Sequence, residues 1–169
     1  FMMTLLYATK IAGKSGFGPL PLVLSAAVIC GVIALYVPEV LGTGSLEINN
    51  IINGGYDIGF LLLLFMLKLI ATSLCIGFGL FGGIFSPAAF IGAAAGGVLG
   101  KFMAFAGFAA VPALLPIAGF AAVTAAVVGA PISVVLVVLE LTQSYEFEVA
   151  AMLAAVVSTF LTSLVFGHS

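Results

Sequence analysis

Long apolar runs alternate along the chain with short breaks rich in glycine, proline or polar residues. Residues 1–9 (FMMTLLYAT) read as the tail of a membrane helix. KIAGKSGFGPLP follows as a turn whose Lys10 and Lys14 lean it toward the cytoplasmic side by the positive-inside tendency. Residues 20–37 predict a spanning helix, stopped by Pro38. Residues 39–57 carry Glu39, Glu47 and Asp57 and form a polar connection, in which LEINNIING has room for a short helix. Residues 58–78 predict a second span with Lys68 near its middle, where an ammonium must snorkel, pair or face a wet cavity.

The run from Gly77 to Pro87 breaks this rhythm with glycines rather than charges. Glycine weakens a helix, and Pro87 suits the first turn of a new one behind Ser86 as cap. The expectation is a backbone break at 79–86 and a helix over 87–107, roughly 31 Å long and able to cross a bilayer. Gly92, Gly96 and Gly100 recur every fourth residue on that helix, leaving one bare face for close packing against another helix. Pro112 and Pro116 open a segment running to Val128. Gly129-Ala130-Pro131 then interrupts it before Ile132–Leu141, as a kink in one helix or as two half-length helices. Residues 142–148 read as a polar turn holding Tyr145, Glu146 and Glu148, and 149–166 as a last span. The sum is four or five crossings plus partial helices.

Composition sharpens this into an all-α integral membrane protein. Apolar residues make up 64% of the 169 and charged residues 6%, against about 25% charged in a soluble domain. No charge falls between Leu69 and Gly100 or between Phe102 and Leu139. The net charge of −2 gives no basic surface for nucleic acid. Cys30 and Cys75 lie in apolar runs and read as inert small core residues rather than a disulfide or metal pair. His168 is the single histidine, so ligands for zinc or haem are too few and no cofactor is expected. Glu140 reads as a cap or interfacial anchor, Glu146 and Glu148 as solvated, Tyr145 as an interfacial aromatic and Ser133 as a helix contact. No Ser/His/Asp set or carboxylate pair suggests an enzyme. The chain opens and closes beside apolar runs, which suggests part of a longer membrane domain.

The chemistry concentrates in Gly82-Gly83-Ile84-Phe85-Ser86-Pro87. A helix starting here points its first amides, which have no intrahelical acceptor, toward the break. The dipole adds about half a positive charge at that end, so the terminus suits an anion. With no basic side chain within the break, binding would be moderate enough for release. The same residues also fit an ordinary capped loop, and the pattern alone leaves both readings open.

These residues also carry a resemblance. Lys68, Thr72, Gly77, Gly79 and the run Gly82–Pro87, with Gly83, Phe85 and Pro87 as a Gly-x-Phe-x-Pro core, resemble the CLC family of chloride channels and proton-coupled chloride antiporters. The segment from Phe120 to Pro131, the Glu140-Leu141-Thr142 ending and the closing Phe166-Gly-His-Ser169 agree in order and spacing. The resemblance implies the second of two inverted-topology halves of the membrane domain, in a homodimer within a bacterial inner membrane. It implies chloride held by the backbone amides of Ile84 and Phe85, room for the ion at Gly82 and Gly83, and support from Ser86 and Pro87. Chloride and protons would be the transported partners, lipid the surroundings, and residues 132–141 and 149–166 would lie near the subunit interface. The family's Gly-Ser-Gly-Ile-Pro and Gly-Arg-Glu-Gly-Pro segments and its final-helix tyrosine have no match here, so this stretch alone should not conduct. Glu148 departs from the apolar character expected near that interface. A different ion-coupled transporter with broken helices, or a scaffold subunit without a pathway, are the alternatives.

Overall fold

The computed structural model describes residues 2–14, 18–80, 82–108, 114–142 and 145–166. Every regular element among them is helical: α1 (Met2–Lys14), α2 (Pro19–Tyr36), a 3-10 turn (Pro38–Val40), α3 (Ser45–Ile52), α4 (Ile58–Gly77), α5 (Phe85–Phe105), α6 (Leu114–Val128), α7 (Pro131–Thr142) and α8 (Tyr145–Phe166). Three are long and apolar enough to cross a membrane, namely Ile58–Gly77, Phe85–Phe105 and Tyr145–Val165. Leu20–Tyr36, Leu114–Val128 and Pro131–Thr142 are apolar but shorter. This all-α set of full and partial helices matches the expected architecture, with fewer full-length crossings than the apolar runs suggest.

α5 is the centre of the packing and meets α6, α4 and α3. Its glycines make this possible. A Cβ added to Gly96 would stand 2.7 Å from the Leu115 carbonyl carbon, and one on Gly92 would stand 2.9 Å from that of Gly119. No real side chain fits at those distances, so main chain lies directly on main chain, as the four-residue glycine spacing predicts. Phe90, Leu61, Leu64, Ile117, Phe120 and Val134 fill the core beside this contact. α8 lies along α6 and α7, and Ser158 Oγ donates to the Ala122 carbonyl at 2.7 Å. In a bilayer such a hydroxyl needs an acceptor, and here it ties two helices.

The interruption at 129–131 makes two helices. Gly129 takes the left-handed φ of +72° and its amide donates to the Ala125 carbonyl at 2.9 Å, while Val134 donates to Ala130 at 3.2 Å to begin α7. Pro131 is the first residue of α7, where a missing N–H is harmless.

Two boundaries differ from expectation. Lys10 and Lys14 belong to α1, which continues through the region read as a turn. α8 begins at Tyr145, so Glu146 and Glu148 sit in its first turn rather than in a polar loop. Acidic residues there face the positive end of the helix dipole and its unshared amides. His168 lies outside the described residues.

Candidate functional site

The break is built from both sides. α4 ends in a Schellman turn: Gly79 adopts φ +90°, its amide donates to Ile76 at 3.1 Å, and Leu80 donates to Cys75 at 2.8 Å. Glycine is favoured there because an L side chain would crowd its own carbonyl. The chain then passes through Gly82 and Gly83 without regular structure. It re-enters a helix when Ala88 donates to the Ile84 carbonyl at 3.1 Å.

Ile84 is therefore the capping position and Phe85 the first helical residue. This corrects the expectation of Ser86 as cap before a helix beginning at Pro87. Pro87 lies inside the first turn, where it removes an amide that would lack an acceptor anyway. The Ser86 hydroxyl instead donates to the Thr43 carbonyl in the connection before α3. It thereby fastens the start of α5 to that connection.

Among the described residues, no carbonyl or side chain accepts from the amides of Ile84 and Phe85. Both residues are partly exposed, at 40% and 39%. Beside them opens a cavity of about 360 Å³. Gly82, Gly83 and Pro87 form its wall on the break side, and Lys68, Thr72, Cys75 and Ile76 form it on the α4 side. Ile84 and Phe85 follow the lining glycines in the chain but are not themselves part of this wall. A Cβ on Gly82 or Gly83 would meet no atom within 4 Å, so the glycines leave open space.

Lys68 resolves into pairing. The residue is only 4% exposed, and its ammonium donates to the carbonyls of Val40 at 2.6 Å and Gly42 at 3.0 Å. It also stands 4.9 Å from the centroid of the Phe90 ring, within cation–π range. Desolvation of a lone ammonium would be prohibitive, and two carbonyl dipoles and an aromatic face replace its water. The cavity thus has a positive charge in its wall that is already engaged by neutral partners.

Other singled-out residues lie elsewhere. Glu140 is in the last turn of α7, and Tyr145 is 83% exposed at the start of α8. Ser133 is exposed on α7 rather than in a helix contact, because that face of α7 turns outward. Among the described residues, no group of three or more His, Cys, Asp or Glu could hold a metal. Sequence reasoning did not anticipate Thr43 as the acceptor for Ser86, since any residue offers the same carbonyl. The cavity face of α4 was in principle readable: positions 68, 72, 75 and 76 share one side of a helix.

The chain is an integral membrane protein by these spans. It is 39% identical over 141 residues to the H(+)/Cl(-) exchange transporter ClcA of Vibrio cholerae serotype O1, covering 82% of this chain and 30% of that protein. It is 35% identical over 142 residues to ClcA of Vibrio campbellii, covering 83% and 30%. Against ClcA of Citrobacter koseri it is 32% identical over 141 residues, covering 82% and 30%. The chain therefore spans about 30% of the length of these bacterial relatives. The profile described as voltage gated chloride channel matches residues 1–163, which include the helix break, its cavity and the α6–α7 corner. With nearly the whole sequence matched, the chain belongs to the voltage-gated chloride channel family.

Proposed function

We propose that this chain supplies one inverted-repeat half of a single membrane domain that transports chloride, and that its task is to hold the anion at the start of α5. The carrying observation is the pair of unaccepted amides at Ile84 and Phe85, beside a cavity walled by Gly82 and Gly83. Hydrogen bonds to a charged partner contribute about 1.5–3 kcal/mol each, so two amides offset part of the anion's dehydration without trapping it. Lys68 adds to the local field, but its ammonium is committed to the Val40 and Gly42 carbonyls. Ser86 and Pro87 support the site, one through Thr43 and the other by fixing the first turn. Segments beyond this sequence complete the coordination. A scaffold role would suit a continuous helix through this region; the break and cavity favour transport.

Exchange for protons is the form favoured over a channel, because the named relatives are H(+)/Cl(-) exchangers. The activity is transport rather than enzymatic chemistry. In liposomes holding the full-length protein, an imposed chloride gradient should drive protons against their own gradient. Chloride movement with no proton movement would leave a channel, and movement of neither would reject the reading.

The same reading includes a homodimer. Val149, Leu153, Val156, Phe160 and Leu164 on α8 are each more than half exposed. Their spacing puts them on one stripe of that helix, beside the exposed Ile132 and Leu136 of α7. A second copy would cover this apolar face. Light scattering of the full-length protein in detergent should return twice the monomer mass; a monomer at all concentrations would reject this pairing.

A further inference from the structure

α2 and α4 are far apart in sequence, yet each brings one cysteine to their contact. The Sγ atoms of Cys30 and Cys75 lie 3.2 Å apart, and both thiols are free and only partly buried. Cys75 also lines the cavity of about 360 Å³ next to the helix break. The sequence reads the two as small core residues rather than a disulfide, and the structure keeps both thiols free while setting them side by side. We propose that Cys30 and Cys75 form a reversible thiol-oxidation site that cross-links α2 to α4.

The sulfur separation is close to that of the product. A disulfide needs an Sγ–Sγ distance of about 2.05 Å, so the sulfurs, 3.2 Å apart, must approach by little more than ~1 Å. The cavity gives a small oxidant access to Cys75. With an azo dicarboxamide such as diamide, the Cys75 sulfur adds to the N=N bond, and its hydrogen passes to nitrogen. The Cys30 sulfur then displaces the adduct, forming the Sγ–Sγ bond. The hydrazine product leaves with both hydrogens and the two electrons. Dithiothreitol reverses the process by thiol–disulfide exchange. α2 packs on α4 and the adjacent 3-10 turn, so the new bond would fasten α2 to the helix that carries the cavity wall. It would also close the intervening connection into a loop.

The test uses full-length protein in liposomes. Protein treated with diamide is denatured, alkylated with N-ethylmaleimide and digested for mass spectrometry. Untreated protein should carry maleimide on both cysteines. Treated protein should lose both labels and yield one joined Cys30–Cys75 peptide, and dithiothreitol should restore both labels. In Cys30→Ser protein, Cys75 should yield no joined peptide and carry at most the diamide adduct, which dithiothreitol removes. Retention of both labels in treated wild-type protein would overturn the proposal. So would loss of both labels in wild-type protein with no joined Cys30–Cys75 peptide, since the two thiols would then react separately.

Discussion

Full-length protein with Gly96→Val should lose about 3 kcal/mol or more of stability, beyond the upper part of the usual overpacking range. The reason is the kind of atom that is struck. Overpacking a core usually displaces another side chain, which can change rotamer. At Gly96 the new Cβ meets the Leu115 carbonyl group and the Pro116 Cα at 2.9 Å, all of it backbone held within or beside α6. Relief requires the two helices to separate, which opens the contact at Gly92 and Gly119 as well. Thermal unfolding in detergent should shift down by several degrees, and expression should fall. An unchanged melting temperature would show that α5 and α6 are not in backbone contact.

Gly83→Val should act in the opposite way, with stability kept and anion flux lost. A Cβ at Gly83 meets nothing within 4 Å, so the fold has room for it. That room is the cavity beside the Ile84 and Phe85 amides. A branched side chain would occupy the space proposed for the ion and turn apolar atoms toward it. A loss of roughly 1.4 kcal/mol of stabilisation corresponds to tenfold in rate, and chloride flux in liposomes should fall by at least that factor. Bromide soaked into crystals should give an anomalous peak within reach of both amide nitrogens in the parent, and none in the variant. Normal flux in folded Gly83→Val protein would count against an anion at this terminus.

The parts of the fold that were legible in the sequence are those governed by local rules. Long apolar runs announce α4 and α5, the first despite Lys68, since only helices satisfy their own backbone in lipid. The glycine spacing announced a bare packing face on α5, though not that α6 would fill it, and the glycines at 79–83 announced the break. Misreadings came where a local rule has two solutions. Tyr145-Glu-Phe-Glu148 is polar enough for a turn, but polarity is also what a first helical turn wants. Ser86 before Pro87 has the pattern of a cap, yet the Ile84 carbonyl starts the helix earlier and sends the serine hydroxyl to Thr43. Lys10 and Lys14 suggested a loop, but lysine is a good helix former at the end of an apolar helix. Hidden altogether were contacts between distant segments. Nothing near Lys68 in the chain names Val40 and Gly42 as its acceptors, and nothing near Cys30 points to Cys75.

Where α5 and α6 touch through Gly92, Gly96 and Gly119, no flexible cushion separates them. Sliding or tilting of one against the other is resisted by backbone directly, with no side chain between to yield. A displacement of α6 from the corner around Gly129, where it turns into α7, would press on the α5 backbone at Gly92 and Gly96. Motion of α7 and α8, on the face proposed to meet a second copy, would therefore bear on the helix start proposed to hold the anion.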